Sequence, residues 1–248
     1  MKFLEDPFIP KSKVSLCAVS EADKEVIESL KNLGIKPIIV TACPDLAAPV
    51  NSHADMLMHC VGGNRVYVSG EYGYTEELRR YGFCVEIIYK KLSSVYPNDV
   101  RLNIVNLNGN IFCNKKVCDS SLTDYYKRKG KKIIFVNQGY AKCSVCIINK
   151  HAIITSDTAI FNAAKLNGFD VLKIREGFIN LPGYSHGFIG GCSGLIDKNT
   201  LAFTGDIKKH PDYFEIKSFT QNYNIELLSL TNKTLNDIGG IIPLMEKN

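Results

Sequence analysis

The apolar runs of this 248-residue chain are no longer than a strand, far short of the ~20 residues a membrane-spanning helix needs. The N-terminus, Met1-Lys2-Phe3-Leu4-Glu5-Asp6-Pro7, lacks an apolar core behind its Lys, so a secretory leader is not expected. There is no low-complexity tract and no long block of like charge, which excludes a disordered interaction tail. With 45% hydrophobic and 22% charged residues, the composition is that of an ordinary globular protein. The expectation is a cytoplasmic protein with no membrane partner, folded as one domain over residues 1–248.

Nine Cys are present, an odd number at irregular spacing. Most sit in apolar runs such as Leu16-Cys17-Ala18-Val19 and Phe83-Cys84-Val85, where a reduced thiol packs as a small hydrophobe. A disulfide framework is not expected. Cys143-Ser144-Val145-Cys146 has redox or zinc-like spacing, but it falls in a run that reads as a strand. Residues three apart on a strand face opposite sides, and no second ligand pair follows. No metal and no cofactor are therefore expected.

The net charge is +5, and the densest basic stretch is Lys127-Arg128-Lys129-Gly130-Lys131-Lys132. It reads as a helix C-terminus capped by Gly130, where cations suit the helix dipole. No aromatic platform is interleaved with it, as single-strand binders require, so nucleic acid is not the expected partner.

The strongest signal is an internal repeat. Four helical segments open near Ser20, Thr75, Ser120 or Ser121, and Asp157, and end at Gly34, Gly82, Gly130 and Gly168; a fifth runs from Pro211 to about Asn222. Each is preceded and followed by a β-rich run, for example Arg65–Ser69 and Cys84–Ile88 around the second. Before four of these units lies a further predicted strand: 55–60, 100–105, 143–148 and 192–196, each joined by a Gly-, Asn- or Asp-rich hairpin turn. The first unit lacks that strand. The C-terminal Ile238-Gly239-Gly240-Ile241-Ile242-Pro243-Leu244 resembles Ile189-Gly190-Gly191-Cys192-Ser193-Gly194-Leu195 and offers it. The pattern predicts an α/β fold: a five-bladed β/α propeller of ββαβ units, closed by the C-terminal strand, with no open sheet edge.

Five such units resemble the pentein fold. That superfamily holds arginine and agmatine deiminases, dimethylarginine hydrolases and amidinotransferases, and also a non-enzymatic, ribosome-binding translation initiation factor. Ser52-His53-Ala54-Asp55 looks like its Gly-His-x-Asp motif, and Gly190-Gly191-Cys192-Ser193 like its glycine-rich nucleophile segment. The resemblance implies a small cationic guanidino or amidino substrate, attacked by a Cys192 thiolate. His53 would serve as acid and base, and Asp55 would pair with the planar cation. Asp45, Glu71 and His186 are further candidates for substrate binding, and the expected state is a monomer or homodimer.

The residues leave a second reading open. His53 and Asp55 also suit a loop bonding its own backbone, and Cys192 a buried thiol beside two glycines. The enzymes carry their nucleophile near the C-terminus, whereas the corresponding segment here, Gly240-Ile241-Ile242-Pro243, has no Cys. The alternative is therefore a non-catalytic pentein that binds a small molecule or a macromolecule.

Overall fold

The computed structural model describes residues 1–248. Its strands and helices follow the repeat. The first unit comprises β1 (Lys2–Phe3), β2 (Val14–Ser20), α1 (Lys24–Asn32) and β3 (Lys36–Val40). The second is a short α2 (Ala54–Leu57), β4 (Met58–Gly62), β5 (Arg65–Val68), α3 (Gly73–Arg80) and β6 (Cys84–Ile87). The third is β7 (Val105–Leu107), β8 (Asn110–Cys113), α4 (Ser120–Arg128) and β9 (Lys132–Phe135). The fourth is β10 (Cys146–Ile147), β11 (Ala152–Thr155), α5 (Thr158–Leu166) and β12 (Asp170–Lys173). The fifth is β13 (Ser193–Asp197), β14 (Thr200–Phe203), α6 (Tyr213–Gln221) and β15 (Glu226–Ser229), followed by β16 (Ile242–Glu246).

These strands form five separate small sheets. In blades two to five the first strand pairs antiparallel with the second, which pairs parallel with the third across the helix. The antiparallel step is a tight hairpin. At β7–β8 both turn residues, Asn108 (φ 49°) and Gly109 (φ 77°), are left-handed, as the twist of a two-residue hairpin requires. In the first sheet the order is β1-β16-β2-β3. There β16 lies antiparallel to β2, with Ile242 opposite Ala18 and Glu246 opposite Val14. The C-terminal strand thus completes the blade whose first strand the N-terminal unit lacks. The fold is a five-bladed α/β assembly of ββαβ units.

Three of the helices, α1, α4 and α5, begin where a short acid reaches exposed N–H groups. Asp23 accepts from the Glu25 and Val26 amides, Asp119 from Ser121, and Asp157 from Ile160, an arrangement worth about 1 kcal/mol each. Each helix packs one apolar face on its sheet; α1 buries Val26, Ile27 and Leu30. No helix is long and apolar enough to cross a membrane.

Three first strands are shorter than the sequence predicts. Residues 54–57 form α2, while 100–104 and 140–145 are turn or irregular. Asn103 explains much of this. Its side-chain Oδ1 accepts from the Lys142 and Cys143 amides at 2.7 and 3.1 Å, so a side chain meets backbone donors that a strand ladder would otherwise satisfy. The chain thus enters its first strands through turns and bends.

Candidate functional site

Those entry turns enclose a cavity of about 170 Å³. The turn before β4 contributes Val50, His53 and Met56; the turn before β10, Tyr140 and Cys143; the loop before β13, Leu181, Tyr184, Ser185, His186 and Phe188; the segment before β16, Asp237. Tyr184 and Ser185 are exposed and form the mouth, while His53, Cys143 and Asp237 lie buried at the base.

Equivalent positions of different blades meet here. Asp55 stands three residues before β4 and Cys143 three before β10. The Cys143 thiol donates to Asp55 Oδ2 at 3.0 Å. Asn103 Nδ2, from the blade between them, donates to Cys143 Sγ at 3.0 Å and to the Asp55 carbonyl at 3.1 Å. The second carboxylate oxygen of Asp55 is buried with no hydrogen-bond partner. His53 Nδ1 lies 3.6 Å from Asp237 Oδ1, a distance for charge attraction rather than a hydrogen bond. Asp237 accepts from the Phe188 amide at 2.9 Å and the Gly239 amide at 3.0 Å, which fixes its carboxylate toward the cavity.

The electrostatics follow from burial among carboxylates. The Cys143 thiol is pushed well above its ordinary range, first by desolvation, then by the charges of Asp55 and Asp237; Lys142 partly offsets this. Asp237 is likewise raised by burial, with His53 pulling it down and Asp55 pushing it up. At rest the site therefore holds a neutral thiol beside acids.

Glycines make this packing possible. A Cβ at Gly191 would coincide with the Asp237 carboxylate, and one at Gly239 (φ 79°) would run into His53. Gly191 thus leaves room for Asp237, and Gly190 for the Val145 and Lys142 carbonyls, while Cys192 turns away. Cys192 is fully buried in an apolar cluster with Cys146, Ile148 and Leu195, its thiol directed at the Ile189 carbonyl at 3.4 Å. Burial pushes its pKa well up, followed by the charge of Asp237, and it does not line the cavity.

Of the residues nominated from sequence, the structure brings His53 and His186 into the cavity wall and Asp55 against it through Cys143. It does not bring Cys192, Asp45 or Glu71 there. Asp45 is exposed. Glu71 is exposed and engaged by Arg79 and Thr75. His186 donates from Nδ1 to the Gly187 carbonyl at 3.1 Å and sets its ring edge against Phe188. Sequence reading missed Cys143, Asn103 and Asp237. Cys143 lies in a turn and not in the strand assigned to it, and Asp237 stands one residue before the stretch that matches 189–195. Cys143 opens the expected strand 143–148 as Asp55 opens 55–60, and that shared position is the signal that could have found it. No group of three or more His, Cys, Asp or Glu side chains is placed to hold a metal ion.

The architecture has clear structural relatives. An amidinotransferase of saxitoxin biosynthesis from Microseira wollei, SxtG, superposes with a TM-score of 0.59 at 10% identity, covering 99% of this chain and 98% of its own. Inosamine-phosphate amidinotransferase StrB1 from Streptomyces griseus gives 0.60 at 8% identity over 100% and 98% of the two chains. Substrate-bound agmatine deiminase from C. jejuni, with a C315S substitution, gives 0.56 at 11% identity over 98% and 96%. These are pentein-fold enzymes, and the fold of this chain is the pentein fold. No curated protein matches the chain in sequence. Residues 18–242 match one family model, and the chain belongs to the family that it describes, a family of unknown function (DUF6873).

Proposed function

We propose that the cavity is the active site of a single-domain hydrolase or amidinotransferase acting on a small guanidinium or amidinium compound, with Cys143 as its nucleophile in place of Cys192. One observation carries the reading: Cys143, His53 and Asp237 line one cavity, and Asp55 holds the thiol. A guanidinium bound between Asp237 and Asp55 would reverse the local field. An opposite charge within ~4–6 Å shifts a pKa by roughly 1–3 units, so the substrate itself would favour the thiolate.

The steps then balance. The Cys143 proton passes to Asp55 Oδ2, which already accepts its hydrogen bond, as Sγ bonds the central carbon of the cation, and it returns to Sγ when the thiol is released. His53 protonates the departing amine as its C–N bond breaks. Water or an acceptor amine, deprotonated by His53, then attacks the thiouronium carbon and releases Cys143 as the thiol. Hydrolysis leaves a ureido product; transfer leaves a new guanidine.

A second reading, a pentein that binds a cation without chemistry, is favoured by the neutral resting thiol and by the absence of Cys from the C-terminal segment. Residue-resolved labelling separates the two. Chloroacetamidine, a cationic amidine-shaped alkylator, is expected to modify Cys143 faster than any other thiol of the native protein, and His53→Ala to slow it. Labelling concentrated on exposed Cys84, with Cys143 inert, would move the assignment to the binding protein.

A further inference from the structure

We infer that the substrate is a carboxylate-free cation, an alkylguanidine or decarboxylated guanidino amine, and that the cavity rejects the corresponding α-amino acids. The inference rests on the active-site reading above and concerns what that site accepts. Its basis is a charge asymmetry. No Arg or Lys lines the cavity. Three carboxylates lie in or directly behind its wall: Asp237 within it, Asp55 bonded to Cys143, and Asp99, which accepts from Tyr140 Oη at 2.6 Å.

The nearest cation in sequence, Lys142, points elsewhere. It is buried, donates to the Gly190 carbonyl at 3.2 Å and lies over the Phe8 ring at 5.3 Å. It lines a separate, much smaller cavity with Phe8, Val145 and Ser193. Apart from the imidazoles of His53 and His186, nothing basic lines the cavity to meet a substrate carboxylate.

The walls above the base are apolar and aromatic. Val50, Met56, Leu181 and Phe188 surround the shaft, with Phe188 stacked on Tyr140 at 5.9 Å and Tyr140 on Tyr96 at 6.1 Å. Such walls suit a methylene chain. A carboxylate among them would lose its hydration with no Arg or Lys to replace it. The volume agrees: about 170 Å³ is below the ~300–1,000 Å³ of pockets for drug-sized ligands.

The test compares agmatine, butylguanidine and L-arginine at pH 8, above the ordinary imidazole range. Binding to Cys143→Ser is measured by calorimetry, and protection of wild-type Cys143 from chloroacetamidine by mass spectrometry; the second readout serves if the variant does not fold. Agmatine and butylguanidine are expected to bind and protect at least tenfold better than L-arginine. Ser185→Lys, which adds a cation at the mouth, is expected to narrow that gap. L-Arginine binding as well as agmatine, while both protect Cys143, overturns the selectivity and leaves the active site standing. No binding or protection by any guanidine overturns the active-site reading and this inference with it.

Discussion

The Cys143 thiol and the Asp55 carboxylate meet at 3.0 Å although 88 residues separate them in the chain. Each sits at the same offset before the first strand of its own blade. The pairing makes Asp55 a restraint on the free thiol.

Removing that charge is expected to do two opposite things. Asp55 raises the Cys143 pKa through both its charge and its hydrogen bond, so Asp55→Asn lowers it. Neutral iodoacetamide should then label Cys143 faster near pH 8, because more thiolate is present. Chloroacetamidine should lose its advantage over iodoacetamide by roughly tenfold, about 1.4 kcal/mol of lost cation attraction. If both reagents slow together, Asp55 is not setting the charge of the thiol.

In wild type, alkylation of Cys143 by iodoacetamide is expected to be slow at pH 7 and still rising above pH 9. The sign is fixed by the direction of the shift: a raised thiol pKa leaves the reactive thiolate scarce until the solution is alkaline. A plateau below pH 8 would contradict the carboxylate-shielded thiol.

The two candidate nucleophiles separate cleanly by substitution. Once a turnover substrate is in hand, Cys143→Ser should cut kcat by roughly three orders of magnitude or more. Cys192→Ala should leave kcat within a few-fold and cost about 1–2 kcal/mol of stability by hollowing an apolar cluster. The reverse outcome would restore Cys192 as the nucleophile.

Two glycines of nearly equal φ give a controlled comparison. Gly34 (φ 76°) and Gly239 (φ 79°) both carry left-handed strain on substitution, but a Cβ at Gly34 meets nothing, whereas one at Gly239 strikes His53. Gly34→Ala should cost about 1–2 kcal/mol. Gly239→Ala should cost clearly more and abolish the labelling preference for Cys143. Equal melting temperatures in the two variants would mean that His53 yields freely.

Acid sensitivity should trace to a residue outside the site. His59 is fully buried in β4, with Nε2 2.6 Å from Tyr126 Oη, and desolvation lowers its pKa from 6.5 to about 3. The unfolded chain then binds the extra proton between those values, so stability is lost as pH falls below about 6.5. Between pH 7 and pH 5 the loss should be about 2 kcal/mol, measured by urea unfolding. His59→Gln should flatten that slope.

The five blades were legible because hairpin turns, helix caps and β-branched runs recur in phase. The swap of β16 into the first blade was legible in the likeness of 238–244 to 189–195. The site was half legible. His53 and Asp55 stand out as a polar pair before an apolar run. Cys143 was hidden because an apolar run with two Cys reads as strand, while the turn that frees it depends on Asn103, forty residues away. Asp237 was hidden because its neighbours in space, Gly187 and Gly191, belong to another blade. Cys192 stood out for the glycines beside it, of which Gly191 in fact clears space for Asp237. Sequence pattern reports periodicity well, but which turn faces which across the centre is decided by packing between blades.

The first sheet has a consequence for how the molecule is made. Its inner strand comes last in the chain, so β2 emerges from the ribosome with an unpaired edge that stays open until residues 242–246 arrive. Pairings this distant in sequence form slowly, and Asp237 travels with the same late segment. The nascent chain can therefore finish four blades and still hold neither a sealed first sheet nor a complete pocket. Sealing of the first sheet and completion of the pocket become a single event.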